Sequence, residues 1–194
     1  MTSKLITLIL LLSLAVEGHA QQLKQISVAA TTEAIGLPFT NYSPYHPGLE
    51  VKGIFKQMDK PKSIRYWNAN AGFFYHERLA TAIYVGGEYQ YTQKFFNEKL
   101  GFDIPLGLGY LHTFYPSELY EQTKNGDFET VNQLGRPHLY VNAGFGLSYL
   151  GNTRVQPFVR QELLIQTPFA NGLPIIPHSM LKIGVHIKLS DNDK

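Results

Sequence analysis

A chain of 194 residues with a net charge of +2 and no cysteine is sized for one domain, and has no disulfide framework, thiolate metal site or thiol nucleophile. Its lysines and arginines form no cluster interleaved with aromatic residues, which argues against nucleic acid as a partner. Charged residues are 16% of the chain, below the quarter or so usual in soluble proteins, whereas 12 Tyr, 12 Phe and 17 Gly are high counts.

The N-terminus reads as a leader. Lys4 supplies a positive charge, residues 5–16 are almost wholly apolar, and Gly18-His19-Ala20 puts small residues where a signal peptidase reads. That apolar run is shorter than the about 20 residues a helix needs to cross a bilayer. Residues 1–20 are therefore expected to be a cleaved signal peptide, and residues 21–194 the mature domain. An exported chain this aromatic and this poor in charge is either a membrane barrel or a secreted all-β domain, and periodicity distinguishes the two.

Eight segments of alternating character follow, near residues 23–32, 48–57, 63–76, 79–92, 98–112, 137–150, 154–167 and 179–189. In the fifth, Leu100, Phe102, Ile104, Leu106, Leu108 and Tyr110 share one face, with Gly101, Asp103, Pro105, Gly107 and Gly109 on the other. The sixth sets Leu139, Val141, Ala143, Phe145, Leu147 and Tyr149 against Tyr140, Asn142, Gly144, Gly146 and Ser148. The last sets Leu181, Ile183, Val185, Ile187 and Leu189 against Lys182, Gly184, His186 and Lys188. Strict alternation over this length exceeds the mean soluble strand of about 5–6 residues.

The apolar faces are large and continuous, while the opposite faces carry small and polar residues that suit a cramped interior. Apolar side chains facing outward around a polar inside are the solution for strands in a bilayer. The chain is thus expected to be all-β, a closed antiparallel eight-stranded transmembrane β-barrel. Connections at 58–61, 96–99 and 151–153 are short, those at 33–47, 113–136 and 168–178 are long, and the break at 76–78 is a tight one on the long side. Barrels keep short turns in the periplasm, which puts both termini there. Trp67, Tyr75, Tyr89, Tyr91, Tyr110 and Tyr149 fall near strand ends in the outward register, where amphipathic rings favour the membrane interface.

The run Lys182-Ile-Gly-Val-His-Ile-Lys-Leu189 resembles the C-terminal assembly signal of outer-membrane barrels, with a polar residue, a Gly two later and hydrophobics three and five beyond it. It departs from the commonest form in ending on Leu189, with Ser-Asp-Asn-Asp-Lys appended. The whole mature chain looks like the small eight-stranded barrels of Gram-negative bacteria, and by its His46-Pro47-Gly48 lead-in to the second segment like those of the Bacteroidetes type. The resemblance implies a place in the cell outer membrane, with outer-membrane lipid around it and the barrel-assembly machinery as a partner during biogenesis.

Function has to be argued from side chains rather than from the fold. The inward register carries Glu50, Lys52, Glu88, Asp103, Arg160, Glu162, Lys182 and His186, together with Asn68, Asn70, Gln90, Asn142 and Lys188. With four acids against four bases, this set is expected to fill a narrow lumen with ion pairs. Small-barrel lipid-A deacylases use a His and a Ser two residues apart with a distant carboxylate; here His178 and Ser179 are adjacent and would face opposite sides of a strand.

The seven histidines, His19 of the leader among them, put no pair on one face of one strand. No catalytic residue, cofactor or metal ligand is therefore expected. The connection at 113–136 carries Phe114, Tyr115, Tyr120 and Phe128, a candidate surface for another outer-membrane barrel or a lipoprotein. Two function classes follow: a non-catalytic barrel, structural or an accessory subunit of a larger outer-membrane complex, and alternatively a barrel that modifies lipid A or transports a hydrophobic compound.

Overall fold

The computed structural model describes residues 23–39, 41–77, 80–114, 119–122, 126–131, 135–151, 153–169 and 173–189. The leader reading of residues 1–20 and the tail at 190–194 lie outside them. Eight long strands run in sequence: β1 (Gln25–Ile35), β2 (Pro47–Lys60), β3 (Ser63–His76), β4 (Ala80–Phe95), β5 (Leu100–Phe114), β8 (Arg136–Tyr149), β9 (Val155–Thr167) and β10 (Ile176–Lys188). Between β5 and β8 two short strands, β6 (Leu119–Gln122) and β7 (Phe128–Val131), pair with each other.

The long strands close in the order β1-β10-β9-β8-β5-β4-β3-β2, each antiparallel to its neighbours, so that no sheet edge is left for lipid to meet. This is the closed eight-stranded barrel the alternation implied. Most strands reach 13 to 16 residues, more than the about 9–11 a tilted strand needs to cross hydrocarbon.

The burial pattern follows the register. In β5, Gly101, Asp103 and Pro105 are buried while Phe102, Ile104 and Leu106 are exposed, and β3 and β8 alternate likewise. Large apolar groups thus line the outside of the wall, and charged ones the inside. The outward aromatics fall towards both ends: Tyr75 and Tyr110 at one, Trp67, Tyr89 and Tyr149 nearer the other, with Trp67 tilted on Tyr89 at 5.1 Å. The chain ends and the short turns at 61–62, 96–99 and 150–154 share one end, which the periplasmic rule for short turns makes the periplasmic one.

Three local features depart from the sequence expectation. β2 runs on to Lys60, and a bulge between Ile54 and Lys56 flips its alternation, so that Gln57, outward by simple alternation from Lys52, reaches inward to accept from Gln25 at 3.0 Å. β1 continues to Ile35 and β10 begins at Ile176, bringing Glu33 and His178 out of expected loops into the barrel wall. The long connection holds the β6–β7 hairpin, where Tyr120 lies opposite Thr130 and Phe128 opposite Gln122.

Candidate functional site in the lumen and at its mouth

The narrow lumen is filled in layers. At mid-height Lys52, Arg160 and Lys182 meet Glu50, Glu88, Asp103 and Glu162. These seven charges come from β2, β4, β5, β9 and β10, whose inward register aims them at one axis. Lys52 Nζ lies 2.6 Å from Glu88 and 3.2 Å from Glu50. Lys182 Nζ donates to both Glu50 and Glu162 at 2.7 Å.

Arg160 spans Glu88 at 3.5 Å, Glu162 at 3.4 Å and Asp103 at 3.6 Å, and donates to Gln90 at 2.8 Å. Asp103 is further tied by Thr92 and Ser148 at 2.7 and 3.1 Å. Every member is buried. Lys188, counted inward from sequence, instead lines a periplasmic-mouth cavity of about 180 Å³ with Gln25, Asp59 and Lys94. The network therefore holds four acids against three bases rather than four against four.

Below it Phe158 stacks on His186 at 4.4 Å, and the Arg160 guanidinium lies over the Phe158 ring, 5.1 Å from its centroid. His186 is thus a packing group near the periplasmic end, distant in register from the lumen carboxylates except through Arg160. Above the network Phe74, Tyr84, Leu111, Tyr140, Leu164 and Met180 form an apolar layer that the sequence reading did not foresee. Its tyrosines keep it joined to the charges: Tyr84 donates to Glu50 at 3.0 Å and Tyr140 to Asn70 at 3.2 Å.

The mouth above that layer gathers Glu33 of β1, His46 just before β2, His76 at the end of β3 and His178 of β10. His178 Nδ1–H donates to Glu33 Oε1 at 2.8 Å, and His46 Nδ1–H to the Glu33 main-chain oxygen at 3.0 Å. The expectation that no two histidines share one face of one strand fails on β10, which begins earlier than expected and turns both His178 and His186 inward; the mouth cluster itself is made across strands. Continuing the inward series Gln25, Ser27, Ala29, Thr31 by one step reaches Glu33, and stepping back from Lys182 through Met180 reaches His178. That was the available signal.

A second departure lies on the outer wall. Gln161 and Ser179 sit in the outward register, yet both are buried. Tyr42, in the connection from β1 to β2, closes a triangle with them: its hydroxyl donates to Gln161 Oε1 at 2.8 Å and lies 2.8 Å from Ser179 Oγ, which also accepts from Gln161 Nε2 at 2.9 Å. Phe39 of the same connection meets the outward Phe145 at 5.7 Å. The connection therefore folds down over the wall of β8, β9 and β10, hiding polar groups that would otherwise face hydrocarbon at a cost of several kcal/mol each.

Ser179 Oγ is bonded to a tyrosine hydroxyl and an amide, neither of which is a base for a nucleophile. Tyr42→Phe should leave Ser179 and Gln161 short of partners, at about 1–3 kcal/mol, and loosen the strap. Limited proteolysis of the folded barrel should then cut within residues 36–46 faster than in wild type; equal rates would show the triangle holds nothing down.

Of the aromatic loop residues, Phe114 is exposed beside His112 at 4.8 Å. Tyr115 lies outside the described residues, and Tyr120 and Phe128 are placed by backbone register only.

Closed sheet, inverted polarity and an aromatic belt are now in hand, and solved structures share the architecture. The structure of Neisserial surface protein A superposes with a TM-score of 0.57 at 8% identity, over 87% of this chain and 98% of that one. That of the outer membrane enzyme PagL gives 0.50 at 12% identity, over 85% and 99%. This chain has the fold of the small outer-membrane β-barrels. With that fold and its apolar belt it is a protein of the cell outer membrane. No family model and no curated protein sequence matches it. One structural neighbour is an outer membrane enzyme and the other a surface protein, so the shared barrel does not choose between function classes.

Proposed function

We propose that this protein is a non-catalytic outer-membrane barrel, working as a structural component or accessory subunit of a larger outer-membrane complex, and that it belongs with the Bacteroidetes-type barrels. The observation that carries this reading is the filled lumen. Seven buried charges pair with one another across the centre of the barrel and occupy it with ion pairs among the described residues.

Function then falls to the surfaces outside the wall, and the connection between β5 and β8 is the longest in sequence, with Phe114 exposed at its start. Deleting residues 118–127 and purifying both forms from native membranes in mild detergent tests the proposal. The barrel should still fold, and a barrel or lipoprotein that accompanies the wild type should be lost. A wild-type protein that migrates alone in native gels from its own membranes would overturn it.

A second reading, a barrel that handles lipid or a small hydrophobic molecule, draws support from the polar Gln161–Ser179 pair on the lipid-facing wall beneath Tyr42. Release of acyl chains from lipid A by the purified wild type would put this reading in place of the first.

A further inference from the structure

We propose that the mouth of the barrel is a binding site for a divalent transition-metal ion of the zinc class, with Glu33, His46 and His76 as ligands and His178 as the group that orients the carboxylate. One ligating atom from each of the three lies within 4.8 Å of the others, and all three side chains are buried. Donors arranged around a tetrahedral zinc at about 2.0–2.2 Å stand roughly 3.3 Å apart. Binding an ion would draw the three groups closer together than they now stand.

The polar groups are left as a metal site needs them. Glu33 is 0% exposed; its Oε1 accepts from His178, while its Oε2, 3.7 Å from His46 Nδ1, accepts no hydrogen bond. The Nδ1 of His76 is likewise buried without a partner. His46 spends its Nδ1–H on the Glu33 carbonyl, which fixes the tautomer with the lone pair on Nε2, the usual device that prepares a histidine to ligate. The His46 and His76 rings stack at 3.8 Å, which holds the two imidazoles together at the mouth.

Charge points the same way. A buried carboxylate needs a compensating cation; Glu33 has His178 beside it at 2.8 Å, and the network below adds none, with Lys52, Arg160 and Lys182 already outnumbered by four acids. A divalent ion at Glu33 corrects that imbalance. Two imidazoles and one carboxylate suit zinc, nickel or copper, whereas calcium and magnesium prefer sets made of oxygen alone. Three protein ligands also leave one position open to water or an outside ligand. Because His46 is on the connection that straps the outer wall, the ion would also pin that connection to β1 and β3.

The test uses the full-length folded barrel in detergent, stripped with a chelator and titrated with zinc chloride, with magnesium chloride as a parallel. The account expects one zinc per barrel by titration and metal analysis, and no magnesium. His46→Ala and His76→Ala should each weaken zinc binding about tenfold or more, and His178→Gln by about 10–100-fold as an outer-shell change.

His186→Ala, altered at the opposite end beside Phe158, should bind like wild type. Heat-modifiable gel mobility reports whether each variant is folded, and His76→Gln replaces His76→Ala should that variant fail. Wild type that takes up no stoichiometric zinc, or folded His46 and His76 variants that bind it as wild type does, would overturn the site.

Discussion

Replacing Arg160 with Met should destabilise the folded barrel by about 3–5 kcal/mol, the cost of removing one partner from a buried ionic network and leaving the others uncompensated. Arg160 is the group that Glu88, Asp103 and Glu162 share, and it also satisfies Gln90. Met fills a similar length but donates nothing, so three buried acids lose a cation at once. Lys94 supplies the contrast. It pairs with Asp59 at 2.6 Å and Glu98 at 3.4 Å on the periplasmic rim, where both partners are exposed to solvent. Lys94→Met should cost no more than about 1 kcal/mol, as surface pairs do. Equilibrium unfolding in detergent or lipid vesicles measures both. A loss at Arg160 no larger than that at Lys94 would show that the lumen charges are hydrated and not bound to one another.

Leu106→Arg should prevent or severely impair assembly. Leu106 projects from the middle of β5, 54% exposed, on the apolar face that meets lipid. Arg at the midplane of a barrel's lipid face costs roughly 2–4 kcal/mol, whereas an apolar exchange there costs little. Leu106→Phe is therefore the matched control and should assemble like wild type.

The neighbouring Gly107 is not the mild lumen control its register suggests. A Cβ there would run into the Asn142 side chain and come within 2.9 Å of the Gly87 carbonyl. Assembly yield in outer-membrane fractions and heat-modifiable mobility read the outcome. Equal yields for Leu106→Arg and Leu106→Phe would place this face in water.

The barrel itself was legible because a strand in a bilayer must alternate for its whole length. β5 and β8 repeat large apolar against small polar without a break, and their ends fall within two residues of where the pattern stops. The central lumen charges follow from the same register, since parity alone tells that Glu50, Glu88 and Glu162 point inward.

What the alternation does not carry is set by events that are not periodic. The bulge between Ile54 and Lys56 inverts the parity of the rest of β2, so Gln57, outward by simple alternation, meets the inward Gln25. Glu33 and His178 lie where polar residues thicken towards the mouth and the apolar half of the pattern fades, which reads as loop although the ladder between β1 and β10 continues through the pair Ile35 and His178. Gln161 and Ser179 break the outward apolar face, and only the folded position of Tyr42, more than a hundred residues away in sequence, explains how they are tolerated. The His46–His76 contact is of the same kind, made by two strand ends whose spacing in sequence carries no motif.

The central claim is that the interior is sealed by its own paired charges, and single-channel recording tests it most directly. Wild-type barrel reconstituted in planar bilayers should show no stable conductance steps above the baseline of protein-free membranes, because Lys52, Arg160 and Lys182 bridge the lumen to acids on the facing strands. Reproducible, large and long-lived steps from the folded wild-type protein would contradict the account.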